Sequence, residues 1–239
     1  MESQPLQAQL LSAQVTPCSR LCGLDEVGRG ALAGPLVAAA VMLPDDFEAR
    51  LGHHARFLRD SKTVPPHHRA ELAELIHAHA LAVEIIEISV ASINAVGIGW
   101  ANREAFFRLI ERIEADEYVV DGRVRPHAPA GRAARVHCMV KADAHVPAVS
   151  AASIVAKVHR DHLMATLHVT YPEYGWHENA GYGTAAHIAA LHTYGPCAEH
   201  RAVFVETVFT GGQRARRTQR IDAENMLPLM RDARAESID

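Results

Sequence analysis

The chain has 239 residues, 49% of them hydrophobic and 22% charged, with 24 Lys and Arg against 28 Asp and Glu for a formal charge of −4. That apolar share excludes a disordered chain, and the length predicts one large domain. No run of about 18 apolar residues occurs, which excludes a membrane-spanning helix.

The opening MESQPLQAQLLSAQ lacks the basic start and long apolar stretch of a secretory signal. Cys18, Cys22, Cys138 and Cys197 form no C-x-x-C pair, which predicts free thiols and a cytoplasmic protein. Cys18 and Cys22 could bind a metal with two histidines, but no second close pair completes a tetrahedral set.

Residues 1–19 are polar and predict little structure. LCGLDEVGRG follows, an apolar approach to two carboxylates and a glycine-flanked arginine, and then Ala31–Pro35 and the apolar run Leu36–Leu43. This pattern predicts two buried strands joined by a glycine-rich turn. Pro65-Pro66 suits the start of a helix over 66–82, and VEIIEISV (83–90) reads as a third strand. Ser92 is expected to cap a helix running to about Ala115, with Ile93, Trp100, Phe107, Ile110 and Ile113 near one face. Tyr118–Asp121 is a short strand ending on a carboxylate. Residues 123–135 hold two prolines and a glycine and read as a loop. A strand is predicted over 136–141, and helices over 150–167 and 184–194, the last bounded by Gly183 and Gly195-Pro196. Strands first in a meander and then alternating with helices predict a mixed α/β sheet.

Asp25-Glu26, Asp121 and Asp143 share one placement, at or just beyond the end of an apolar strand. If those strands are neighbours, the acids meet at the sheet rim. Carboxylates so close repel, and burial raises their pKa, so the cluster is costly unless a cation neutralises it. Hard oxygen donors favour Mg²⁺ or Mn²⁺ over Zn²⁺. Adjacent strand residues point to opposite faces, so Asp25 and Glu26 share an ion only if the strand bends or if Glu26 uses its main-chain carbonyl.

Local charge departs from the global balance. Arg123, Arg125, Arg132, Arg135 and Lys141 fall in a stretch without an acid, Lys157 and Arg160 share a helix face, and the tail adds Arg214, Arg216, Arg217 and Arg220. Cations beside a carboxylate cluster suit a phosphodiester substrate, although the tail patch also reads as ordinary solvated surface.

The chain resembles the type 2 ribonucleases H, bacterial ribonuclease HII in particular. The resemblance rests on an ordered series over about residues 20–208: Gly23–Gly30, Ala33-Gly34-Pro35, Asp60-Ser61-Lys62, Asp121-Gly122, Lys141-Ala142-Asp143, Ser150–Lys157, Arg160-Asp161, Tyr171-Pro172-x-Tyr174-Gly175, Gly181–Thr184, Tyr194-Gly195-Pro196 and His200-Arg201. It implies a ribonuclease H-like mixed sheet flanked by helices, with a helical C-terminal extension, as a catalytic domain over 20–208. Residues 209–239 fall outside it and read as a basic tail with a short helix around 222–234.

The resemblance also implies the chemistry. Asp25, Glu26, Asp121 and Asp143 match the family's four catalytic acids, which bind divalent ions, two of them during catalysis. Gly28-Arg29-Gly30 matches the motif that reads the 2′-hydroxyl of a ribonucleotide embedded in DNA. Tyr182 matches the tyrosine packed on the following sugar, in preference to Tyr174. Lys62, Ser153, Lys157 and Arg160 match contacts to backbone phosphates. The implied partners are RNA–DNA hybrids and DNA duplexes with an embedded ribonucleotide, cut by a monomeric enzyme 5′ to the ribonucleotide. The products are a 3′-hydroxyl and a 5′-phosphate. A less selective ribonuclease acting on long hybrids, or a decayed hybrid-binding module, are the alternatives. The pattern departs at Arg123, where an asparagine is usual, at Ala142, where a glycine is usual, and at Asn179-Ala180, where histidine-lysine is usual.

Overall fold

A computed structural model of the protein describes residues 20–58, 64–123, 125–132 and 135–210. The expected unstructured start, Lys62 and the helix around 222–234 lie outside them. The chain divides into two compact units, Met1–Val205 and Glu206–Asp239. In the second, the Thr210 N–H and hydroxyl both donate to the Glu206 carbonyl, at 3.0 and 2.8 Å.

Five strands form one sheet: β1 (Leu21–Val27), β2 (Leu36–Met42), β3 (Ala82–Ile88), β4 (Glu117–Asp121) and β5 (Val136–Met139), in the order β3-β2-β1-β4-β5. β2 runs antiparallel to β1 and β3, while β1, β4 and β5 are mutually parallel neighbours. Helices α1 (Phe47–Leu51), α2 (Ala55–Leu58) and α3 (Pro66–His79) lie between β2 and β3, and α4 (Val90–Val96) and α5 (Ile98–Arg112) between β3 and β4. After β5 come α6 (Pro147–Thr170), α7 (Trp176–Asn179), α8 (Ala185–Tyr194) and α9 (Ala202–Phe209).

Period-2 alternation sorts each strand between two cores. Cys22, Leu24, Leu36, Ala38, Ala40 and Val120 face α5, against Phe106, Leu109 and Ile110. Val37, Ala39 and Val41 face α3 and α6, against Leu72, Ile76, Ala151 and Val155. Both faces of β2 are therefore dry, which is why its sequence is one unbroken apolar run. α6 lies directly on β1: a Cβ at Gly23 would come within 2.2 Å of Ala148 C and Val149 N.

Some expected elements differ. The single helix over 92–115 is two. Ser89, not Ser92, caps α4 by accepting the Ser92 N–H at 3.2 Å, and Gly97 at φ +94° ends it. That break resets the helical phase, so α5 buries Ala101, Ala105, Phe106, Leu109 and Ile110 while Phe107 stays half-buried. α6 begins at Pro147, whose missing N–H costs nothing in a first turn. The short helices α1 and α2 carry too little apolar periodicity to be read from sequence.

Candidate active site

The parallel pairing of β1 with β4 sets Leu24 beside Val120, so Asp25, still paired with β2, comes next to Asp121 at the end of β4. β4 pairs with β5 through Asp121 and Met139. The chain then turns back through Lys141, at φ +59°, to a single 3₁₀ turn over Ala142–Ala144 that carries Asp143. The Ala142 N–H donates to Asp121 Oδ1 at 2.8 Å and ties that turn to the strand end. Ala142, which stands where a glycine is usual, is fully buried there.

Alternation places Asp25 and Asp121 on the α6 face, with Gly23 and Val119, and Glu26 on the α5 face, with Cys22 and Leu24. Glu26 nonetheless borders the same cavity, about 390 Å³ in volume, which is lined by Asp25, Glu26, Asp121, Asp143, Ser153, Lys157 and Arg69. Its N–H donates to Asp25 Oδ1 at 2.8 Å, and its carboxylate lies 3.7 Å from Arg29 Nη1.

Electrostatics single out the two acids of β1. Burial, then the Glu26 and Asp121 charges, push the Asp25 carboxyl up to about 8 against the opposing pull of Ser153. Burial raises Glu26 too, opposed by Arg29 and by the buried Asn102 amide of α5. Among the described residues, the two cations lining the cavity face one carboxylate: Lys157 pairs with Asp161, and Arg69 Nη1 lies 3.9 Å from it.

Four carboxylates around an open cavity are a hard-oxygen donor set and fit Mg²⁺ or Mn²⁺. Among the described residues no group of three or more His, Cys, Asp or Glu forms a ready-made cage.

Beside the cavity, Gly28 sits buried at φ +83° and its N–H donates to Tyr182 Oη at 3.2 Å, while Arg29 and Gly30 are exposed. A Cβ at Gly28 would lie 2.2 Å from Arg160 Nε. Arg160 is 0% exposed and donates to the carbonyls of Pro35, Ala180 and Ala33 at 3.0, 2.8 and 3.0 Å. The expected phosphate contact of Arg160 is thus replaced by a buried one. Roughly 60° of helical rotation separates it from Lys157, enough to send one side chain to the cavity and the other beneath the glycine loop.

Tyr174 is buried and donates to the Gly195 carbonyl at 2.8 Å, which leaves Tyr182 as the tyrosine beside the loop. Asn179 is structural: Oδ1 accepts the Gly181 N–H and Nδ2 donates to the Tyr174 carbonyl, at 2.8 and 2.7 Å. Arg123 is exposed.

Three residues near the site escaped the sequence reading. Asn102 was legible as the lone amide in the buried stripe of α5. Arg69 carried no signal, because its helix sits far away in sequence. Arg201, 0% exposed, donates to the carbonyls of Gly28, Arg29 and Gly34, and only its place beside His200 in a motif hinted at it.

The family model described as ribonuclease HII matches residues 22–210. A ribonuclease HII of Verminephrobacter eiseniae is 43% identical over 190 residues, covering 79% of this chain and 86% of the relative. The structure of the PCNA–RNase HII complex from Archaeoglobus fulgidus aligns with a TM-score of 0.65 at 27% identity, over 83% of this chain and 98% of that one. That of Bst-RNase HIII in complex with Mn²⁺ aligns at 0.63 and 20% identity, over 89% and 75%, a likeness of fold.

Proposed function

Since the chain belongs to the ribonuclease HII family and is a ribonuclease H-type endonuclease, we propose that it cuts duplex DNA 5′ to an embedded ribonucleotide, and the RNA strand of hybrids, using divalent metal ions held by Asp25, Glu26, Asp121 and Asp143. The observation that carries this reading is the meeting of Asp25, Glu26, Asp121 and Asp143 on one cavity, brought together by the pairing of β1 with β4 and by the turn after β5; burial and the Glu26 and Asp121 charges raise the Asp25 carboxyl to about 8, a cost that a bound cation would relieve. The Mn²⁺ bound by the structurally similar Bst-RNase HIII supports that choice of ion.

Asp25, Glu26, Asp121 and Asp143 would hold two such ions, whose chemistry there would be activation of a water and stabilisation of the leaving 3′-oxygen in an in-line displacement at phosphorus. The chain's own residues do the rest. Asp25 and Asp121, tethered by the Glu26 and Ala142 N–H groups, present fixed oxygens at the rim. Lys157 and Ser153 face the cavity and hold the scissile strand's phosphates. The exposed Arg29-Gly30 pair brings backbone and guanidinium donors to a ribose 2′-hydroxyl, the group that separates RNA from DNA at one nucleotide. Tyr182, hydrogen-bonded to Gly28, offers its ring to the next sugar. A site built to bond that hydroxyl leaves polar groups unpaired against pure DNA, so rejection is strong.

The test is a labelled DNA duplex carrying one ribonucleotide, incubated with Mg²⁺, Mn²⁺ or EDTA beside all-DNA and long-hybrid duplexes. One metal-dependent cut 5′ to the ribonucleotide, absent on DNA, is expected. Cleavage confined to the long hybrid refutes the single-ribonucleotide reading.

A further inference from the structure

Beneath Tyr182 lies a hydrogen-bond chain that the chemistry above does not use. His187 Nδ1 sits 2.9 Å from the Tyr182 carbonyl, which can only accept, so Nδ1 carries the proton. His187 Nε2 is then the acceptor, and two donors converge on it: Trp176 Nε1–H at 3.1 Å and His200 Nε2 at 3.1 Å. The Cys197 N–H donates to His200 Nδ1 at 3.0 Å, which leaves the His200 proton on Nε2, facing His187. In this assignment the Trp176 and His200 N–H groups share the single lone pair of His187 Nε2, and Cys197 Sγ also lies 3.2 Å from His200 Nδ1. Both rings are buried and neutral: burial pulls His187 down, and burial with the neighbouring His187 pulls His200 down to about 4.

The next residue completes the frame. Arg201 donates to Gly28 O at 2.6 Å, Arg29 O at 3.1 Å and Gly34 O at 2.8 and 3.0 Å. Asn94 brackets the pair, donating to the His200 carbonyl at 3.1 Å and accepting the Ala202 N–H at 2.9 Å. His200 and Arg201 are adjacent, so one short segment grips both sides of the reading surface. Arg201 holds the Gly28–Gly34 loop, while His200, through His187, holds Tyr182, whose hydroxyl closes the ring at Gly28 N–H.

We propose that His187 and His200 are positioning residues that set Tyr182 against the Gly28–Gly30 loop, and that they thereby determine selectivity for a single ribonucleotide over a long hybrid. This rests on the functional reading above. A long hybrid offers many registers and tolerates a displaced ring; a lone ribonucleotide offers one. Loosening the Tyr182 carbonyl therefore falls on kcat for the single-ribonucleotide duplex and spares the hybrid.

Two substitutions separate positioning from mere support. An Asn amide nitrogen reaches where Nδ1 stood and can still donate to the Tyr182 carbonyl; a Gln amide reaches the Nε2 position and cannot. His187→Asn, which keeps the donor to the Tyr182 carbonyl but loses the Nε2 link to His200, is expected to lower the ratio of the two activities by a few fold at most. His187→Gln is expected to lower it about tenfold, in kcat rather than KM, at a similar melting temperature. Equal losses on both substrates, or an unchanged ratio in both variants, overturn the inference. Ring ¹⁵N shifts of the parent protein test it even where a variant fails to fold: protons on His187 Nδ1 and His200 Nε2 are required, and the opposite tautomer on His187 overturns it. A parent that cuts neither duplex overturns the functional reading and this inference together, whereas a selective parent with unselective tautomers or unaltered variants overturns this inference alone.

Discussion

Replacing Asp25 by asparagine separates what this carboxylate does for catalysis from what it costs the fold. The side chain is 7% exposed, and burial together with the Glu26 and Asp121 charges raises its folded pKa from 3.8 to about 8. The sign follows from linkage. Below about pH 4 the carboxyl is protonated in both states and costs nothing. From there to about pH 8 the unfolded chain releases the proton while the native state retains it, so stability falls as pH rises, by up to about 1.4 kcal/mol per unit. Above the folded pKa the penalty is complete. Asparagine keeps the shape and the acceptor for the Glu26 N–H but never ionises. In EDTA at pH 7.5, Asp25→Asn should therefore be more stable than the parent by several kcal/mol, up to about 5, which for a chain of this size raises the melting temperature by at least about 4 °C. At pH 4 the two should melt together. Added Mg²⁺ should stabilise the parent at pH 7.5 more than the variant, and the variant should be inactive. Melts followed by circular dichroism at both pH values decide the matter. A variant that is less stable at pH 7.5, or whose advantage is the same at pH 4, refutes the picture of a repulsive, cation-seeking cluster.

Gly23→Ala should cost more than about 3 kcal/mol, seen as insolubility or a large drop in the urea midpoint, because the new methyl would meet α6 main-chain atoms that cannot move aside. Ala180→Gly should raise stability by about 1 kcal/mol, since Ala180 is held at φ +47° where a Cβ is unfavourable; a fall on chemical denaturation would contradict this. Lys157→Ala should raise KM about tenfold with a shallower salt dependence, reflecting one lost phosphate contact, and an unchanged salt slope would remove Lys157 from substrate binding.

Much of the site was legible before folding because its residues are ends. An apolar run that stops at a carboxylate puts that carboxylate at a strand end in almost any packing, and Asp121 obeys this, whereas β1 carries on past Asp25 and Glu26 to Val27, still paired with β2. The ordered motifs likewise carried the family, because their residues and their order along the chain can be read without knowing the fold. Alternation even split Asp25 from Glu26 correctly between the two faces.

Tertiary structure decided the rest. Only the strand order β3-β2-β1-β4-β5 makes the rims of β1 and β4 neighbours, and only the turn after β5 returns Asp143 to them. Local periodicity could not tell Phe106 from Phe107, since a left-handed glycine upstream sets the phase of α5. Nor could it show that Arg160 turns inward. A buried guanidinium needs carbonyl acceptors to offset its desolvation, and those of Ala33, Pro35 and Ala180 come from segments more than a hundred residues apart. Sequence determined which groups are available at element ends; the long-range packing of loops against α6 determined which of them face substrate and which are held beneath it.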